Sequence, residues 1–283
     1  LNIESEEMRF ELDAAGNPTN VILKTSKDAH KLVEEFMLLA NKKVATFIAK
    51  PGNKADKIPF VYRCHDKPDI EKIALFRVFI DKFGYELNFT SPDDISTAIN
   101  ELLLKIKPTS EYSLIQTMAI RSMAKATYET DNIGHYGLAF PYYTHFTSPI
   151  RRYADLLVHR ILFEELTTKQ HRYGADLNEM CKRISRNERK ATEAERESNK
   201  FFQTLFMKDR VGETFEGTVS GIADFGMFVK MDENQCEGMI PMIDIPGDRF
   251  YFDAEKYKIV GPKTGIEYNF GDKIQVKVTD VDT

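Results

Sequence analysis

The hydrophobic pattern changes period along the chain, and each change predicts an element. Residues 8–26, MRFELDAAGNPTNVILKTS, alternate on either side of Gly16, Asn17 and Pro18 and predict two short strands joined by a turn. From 27 to 50 the period becomes helical, with Leu32, Phe36, Leu39 and Val44 recurring on one side, and Pro51 and Gly52 predict the stop. IPFVYRCH, 58–65, predicts a short strand. Ser91 as cap and Pro92 in the first turn predict a helix through DDISTAINELLLKIK, and YSLIQTMAIRSMAKATYE, 112–129, predicts another.

FTSPIRRYADLLVHR, 146–160, carries a second capping signal: Ser148 as N-cap and Pro149 in the first helical position predict a helix over 149–166. Ala154, Leu157, Val158, Ile161, Leu162 and Leu166 form its apolar stripe, while Ser148, Arg152, Asp155 and His159 share the polar face with Arg151 beside them. A long charged helix is predicted over 180–207. The period then falls to two at VGETFEGTVSGIADFGMFVKM, 211–231, which places a domain boundary near Asp209 and predicts a small barrel beyond it.

Two arginines in the opening turn of a helix oppose its dipole, which favours acidic neighbours there. A phosphate resolves the conflict, because helix N–H groups and a guanidinium fork both donate to its oxygens. The other reading is that both are surface arginines paired with acids. Adjacent helical residues point about 100° apart, which gives Arg151 to the substrate and Arg152 to a local pair with Asp155 or a backbone carbonyl.

The 283 residues are 42% hydrophobic and 29% charged, an ordinary globular composition. The sequence contains no apolar run long enough for a membrane span and no signal-peptide pattern. Three widely spaced cysteines, Cys64, Cys181 and Cys236, suit free thiols in a reducing compartment, so the cytoplasm is expected. The net charge is −5, yet residues 151–210 hold fourteen Lys or Arg against ten Asp or Glu. That excess is compatible with local phosphate binding and equally with a solvated helix. The chain begins at Leu1 and stops as a strand pattern finishes, so a piece of a longer protein is expected.

GHYGLAFPYYTHFTSPIRRYADLLVHR, 134–160, resembles the signature segment of the RNB-domain exoribonucleases, the ribonuclease II and ribonuclease R family. HKLVEEFMLLAN, YRCHDKPDIEK and RSMAKATYE resemble further segments of the same domain, in the expected order within residues 1–209. The resemblance implies an α+β fold class, with a partial RNB domain of mixed helices and sheet. It also implies 3'-to-5' removal of nucleoside monophosphates from single-stranded RNA, using divalent metal such as Mg2+ held by clustered aspartates. Arg151 corresponds to the family's arginine at the scissile phosphate. Glu195 takes the place of a glutamate that contacts the terminal nucleotide in some members; Ile184, Ala191, Glu195, Ser198 and Phe202 fall on one mostly apolar stripe. A surface role for Glu195, or its replacement by Glu193, stays open. Ser148 and Arg152 join the expected RNA contacts. His159, four residues after Asp155, is expected to be oriented by that carboxylate and to donate to a phosphate, while His135 and His145 read as structural. A monomer with no membrane partner is expected.

The family's adjacent aspartates are expected to precede Leu1. Asp93 and Asp94 complement a helix dipole, Asp280 and Asp282 alternate on a strand end, and neither pair reads as a two-metal site. Cys64, His65, Asp66 and Asp69 lack partner spacing for a metal. Phosphate-loop, GxSxG and HExxH motifs are missing as well. The segment is therefore expected to bind RNA without hydrolysing it, as part of an exoribonuclease or, alternatively, of a non-catalytic RNA-binding or regulatory protein.

Residues 210–283 resemble an S-one type RNA-binding domain, a five-stranded OB-fold barrel, in VGETFEGTVSGIADFGMFVKM, EGMIPM and GDKIQVKVTDVD. Strand period puts Phe228 and Lys230 on the face opposite Met227 and Val229, joined by Phe225, as a stacking platform for bases. The alternative is that these phenylalanines fill the barrel core. Pro241 stands where many relatives carry histidine, and a last strand truncated after Thr283 is expected to leave an open edge.

Overall fold

The computed structural model describes residues 7–24, 27–49, 58–91, 94–109, 111–170 and 172–282. The predicted breaks at Pro51, Gly52 and Pro92 lie outside these residues, as do Asp93 and Thr283. The chain opens with a hairpin of β1 (Glu7–Leu12) and β2 (Pro18–Lys24), antiparallel with Phe10 opposite Val21. Its turn is built as the sequence implies. The Asp13 carboxylate accepts the N–H groups of Ala15 and Asn17 at 2.9 and 2.8 Å, and Gly16 takes φ 87°, which a side chain would resist.

Then follow α1 (Asp28–Ala49), β3 (Tyr62–Cys64), α2 (Ile70–Asp81), α3 (Ile95–Ile106), α4 (Tyr112–Ser122) and β4 (Thr127–Glu129). After them come α5 (Tyr153–Thr167) and the long α6 (Asp176–Lys208). The closing strands are β5 (Thr214–Ala223), β6 (Gly226–Met231), β7 (Glu237–Pro241), β8 (Tyr251–Asp253), β9 (Lys258–Val260), β10 (Glu267–Tyr268) and β11 (Lys273–Lys277). Among the described residues no helix is long and apolar enough to cross a membrane.

Contacts divide the chain into two compact units: Ser26–Asp69 with Met123–Ala194, and Asn2–Thr25 with Ile70–Ser122 and Glu195–Thr283. In the first, β3 pairs with β4, placing Arg63 opposite Tyr128. Ala45 and Ile48 of α1, Phe60 and Val61, Tyr128, and Ala154, Leu157, Val158 and Ile161 of α5 form one core with Leu177 and Cys181 of α6. Cys64 joins it, and all three cysteines are free and buried.

Four details depart from the sequence reading. First, α1 exists as predicted, but Leu32, Phe36 and Leu39 are exposed, and Asn41, Ala45 and Ile48 are buried instead at i, i+4, i+7. Second, residues 127–129 leave the predicted helix and become β4, because strand pairing with β3 outweighs the local helical pattern. Third, α2 was not anticipated, although Ile73, Phe76 and Ile80 are buried at helical spacing. Fourth, α5 starts at Tyr153, not residue 149, and Ser148 is not its cap. Arg152 is the extended N-cap residue (φ −120°, ψ 117°), while the N–H groups of Arg151 and Arg152 donate to the Ser148 carbonyl at 3.3 and 3.0 Å. Pro149 thus begins a turn before the helix.

In the second unit β11, β5, β6 and β7 form one antiparallel sheet in that order, and β10, β9 and β8 another. Val219, Ile222, Met227, Val229, Phe250 and Ile259 fill the space between them, an all-β barrel of seven described strands where five were expected. Phe206 and Met207 at the end of α6 pack with Phe215, Met231 and Cys236, against which Phe10 and Val21 of the hairpin also lie.

Gly226 sits where β6 meets β7, and a Cβ there would come 2.2 Å from the Ile240 carbonyl oxygen. The oxygen is backbone and the backbone fixes the Cβ position, so neither can swing away. Gly226→Ala is expected to destabilise the barrel by about 2 kcal/mol or more; a melting temperature equal to the wild type's would contradict this packing.

Candidate nucleic-acid site

The segment between β4 and α5 is mostly irregular, so its backbone groups cannot satisfy one another as those of a helix or strand do. Side chains satisfy them. The N–H of Phe146 donates to Asn41 Oδ1 at 2.9 Å, and its carbonyl accepts from His159 Nε2 at 2.8 Å. The His159 ring lies flat on the Phe146 ring, 4.1 Å between centroids and 7° between planes. Asn41, buried on α1, donates through Nδ2 to the Tyr143 hydroxyl at 3.1 Å. The fully buried Thr144 hydroxyl donates to the Val61 carbonyl at 2.6 Å. The N–H of Ser148 donates to Asp155 Oδ2 at 2.7 Å, and Arg152 pairs with the same oxygen at 2.8 Å.

This geometry sorts the predicted residues. Arg152 takes the local pairing with Asp155 that the sequence allowed. Asp155 does not lie on a solvated face: it is 0% exposed. His159 is oriented by Phe146 and not by Asp155, since its Nε2–H is committed to the Phe146 carbonyl. Ser148 engages through its backbone. Arg151 is exposed, and its side chain has no hydrogen bond or ion pair among the described residues.

A ladder of rings runs behind the loop. His65 and His135 are 5.0 Å apart, His135 and Tyr143 5.3 Å, Tyr143 and His145 5.7 Å, and His145 and Tyr128 5.6 Å. The Tyr128 hydroxyl is hydrogen-bonded to His145 Nδ1 at 2.8 Å. Arg63 lies over the Tyr128 ring at 4.6 Å and pairs with Glu188 at 2.7 Å. Burial, reinforced by Arg152 and Arg63, pushes His145 down to about 3. Burial and then His65 push His135 down to about 4. Both imidazoles are therefore neutral near pH 7, consistent with their structural reading.

No group of three or more His, Cys, Asp or Glu among the described residues is arranged to hold a metal ion. Asp94 is engaged locally, accepting the Thr90 and Ser91 hydroxyls at 2.7 and 2.9 Å, bonds that hold its carboxyl below the usual range. Cys64 is buried, which raises its thiol.

In the second unit Met227 and Val229 are buried in the barrel, whereas Phe228 and Lys230 are partly exposed on the opposite face. Phe225 is exposed, its ring 6.1 Å from that of Phe228 and nearly perpendicular to it. Neither phenylalanine belongs to the barrel core. Glu195 corrects the sequence reading: Ala191, Glu195 and Ser198 are all exposed, with Ile184 and Phe202 half-buried. This stretch of α6 meets water on nearly every side, so helical spacing there did not mark a buried stripe. Asn41, Tyr128, Tyr143 and the anchoring role of Asp155 were missed. No local pattern signalled Asn41, whose partners lie about a hundred residues further along the chain.

Residues 1–168 match the RNB domain family and residues 208–283 match the S1 RNA binding domain family. Ribonuclease R of Buchnera aphidicola subsp. Schizaphis graminum is 38% identical over 99% of this chain, which spans 39% of that protein. The apo form of Mycoplasma genitalium RNase R superposes with a TM-score of 0.84 at 29% identity, covering 99% of this chain and 44% of that one. The same enzyme in complex with ribose methylated single-stranded RNA gives 0.81 at 29% identity, with the same coverage of both chains. The chain thus spans less than half the length of these relatives.

In the unfolded chain His135 and His145 titrate near 6.5, so below that pH the unfolded state binds protons that the folded state excludes. Stability from these groups is intact above about pH 6.5 and declines as the pH falls toward 4 and 3. Between pH 7.5 and 5 the first unit is expected to lose on the order of 1–2 kcal/mol per histidine. His145→Gln should flatten the fall in melting temperature; an unchanged slope would show that His145 is not excluded from protonation.

Proposed function

The chain belongs to the RNB-domain family of ribonucleases, and from that premise we propose that it is part of a 3'-to-5' exoribonuclease releasing nucleoside monophosphates from single-stranded RNA. The observation that carries the proposal is Arg151, an exposed guanidinium without an acidic partner among the described residues, on a loop whose neighbours are fixed by side-chain hydrogen bonds. An exposed arginine on a flexible tail would attract phosphate. One on an immobilised loop can also meet the charge that develops on a scissile phosphate as the bond breaks.

The placements support a division of labour. Arg151 addresses the reacting phosphate, and Arg152, already paired with Asp155, adds positive potential nearby. His159 and Ser148 serve the loop more than the RNA. Phe225, Phe228 and Lys230 suit bases and backbone further along the strand, each stacked base contributing about 1–3 kcal/mol. Residues 1–209 are assigned to the RNB portion and 210–283 to the S1-type domain. Ribonucleases of this family are generally metal-dependent. Among the described residues no group of three or more His, Cys, Asp or Glu is arranged to hold a metal ion, and on this reading hydrolysis belongs to the polypeptide that also supplies the acidic cluster, and RNA binding alone to this segment. Glu195 retains a place as a contact to the terminal nucleotide, reached from solvent.

In the complete polypeptide, Arg151→Ala is expected to lower the turnover of a 5'-labelled oligoribonucleotide by about a hundredfold or more, with its Kd within about threefold of wild type. Equal losses in turnover and affinity would reduce Arg151 to a tether. Phe225→Ala with Phe228→Ala should instead raise Kd by about tenfold or more. The 283-residue chain incubated with the same RNA and Mg2+ should bind it and release no mononucleotide; release would refute the assignment of the acidic cluster elsewhere.

A further inference from the structure

We propose that Asp155 is the positioning residue for Arg151, a single buried carboxylate that grips the chain on both sides of that arginine. The inference rests on the reading that Arg151 acts on RNA phosphate. Asp155 Oδ2 accepts the backbone N–H of Ser148, three residues before Arg151, at 2.7 Å. The same oxygen accepts from the guanidinium of Arg152, one residue after it, at 2.8 Å. The turn between these attachments is closed by the N–H groups of Arg151 and Arg152 donating to the Ser148 carbonyl. Arg151 therefore projects from a short loop whose two ends converge on one atom.

The anchor is itself fixed. Asp155 lies in the first turn of α5, next to Ala154 and one turn before Val158, both in the hydrophobic core. Its direction is set by packing that no RNA has to organise. Phe146, on the other approach to the loop, is held independently through Asn41 and His159.

Stability alone does not account for the carboxylate. A fully buried anion loses its hydration, and its pair with a guanidinium recovers that loss when the geometry is complete. Here it is incomplete. Asp155 Oδ1, Arg152 Nε and the Thr147 hydroxyl oxygen are all buried without a hydrogen-bond partner among the described residues. A side-on arginine fork would use Nε and the second carboxylate oxygen as well, so the pair is made with one of two available bonds. A charge kept buried and half-satisfied beside an exposed arginine is better explained by geometry than by folding energy. A misplacement of about 1 Å can slow a reaction about a hundredfold.

A double-mutant cycle in the complete polypeptide tests the assignment, reading kcat and Kd on a 5'-labelled single-stranded RNA. Asp155→Asn is expected to lower kcat by roughly tenfold to a hundredfold with Kd within about threefold. In an Arg151→Ala background the same change is expected to lower kcat by less than about threefold, because the group it positions is gone. Equal losses in both backgrounds, or wild-type kcat for Asp155→Asn, would overturn the proposal while leaving the role of Arg151 intact. An Arg151→Ala variant with wild-type kcat would instead remove the reading beneath it. If Asp155→Asn fails to fold by circular dichroism, Arg152→Gln takes its place in the cycle. That change removes one of the two attachments through a partly exposed side chain, and the same non-additivity is required of it.

Discussion

Backbone polar groups that leave water must find partners, and a loop without regular structure has to find them in side chains. In this chain that constraint falls on residues 144–148, and the surroundings are arranged to meet it. Asn41 reaches across from α1, His159 reaches back from α5, and Asp155 takes the Ser148 N–H. Each donor or acceptor comes from an element anchored in the same hydrophobic core. The accuracy of the loop is thus inherited from the core that α1 and α5 share.

The electrostatics around the loop follow the same economy. Three arginines, Arg63, Arg151 and Arg152, lie in one unit with three histidines along the ring ladder. If those imidazoles were charged, they would repel the guanidinium groups. Burial keeps His135 and His145 neutral, and His65 is engaged at both nitrogens, accepting from the Gly137 N–H and donating to the Ala124 carbonyl. The guanidinium groups then carry the positive charge near the loop.

What the sequence disclosed and what it withheld divide along a physical line. The hairpin, α1, α3, α6 and the alternating faces of β6 were readable because each is fixed by neighbours a few residues away. Phe228 and Lys230 came out opposite Met227 and Val229 for the same reason. The start of α5 was misread because the Ser-Pro pair is a local signal, whereas the outcome depended on Asp155 claiming the Ser148 N–H. Strand β4 was misread as helix because its partner lies some sixty residues upstream. Asn41 was invisible to pattern reading, since a polar residue on a helix gives no hint of a loop about a hundred positions away. Glu195 failed in the opposite sense: spacing suggested a buried stripe where the helix is surrounded by water.

The buried thiols carry a consequence of a different kind. Cys64 and Cys181 sit in the core of the first unit and Cys236 in that of the second, with burial raising Cys181 to about 12 and Cys236 to about 11. Thiolate is scarce at such sites, and reagents cannot approach them while the packing is closed. Alkylation at each cysteine must therefore wait for the surrounding side chains to part, and its rate records how often that happens. The molecule holds a native clock for the breathing of each half, readable by mass spectrometry without any added probe.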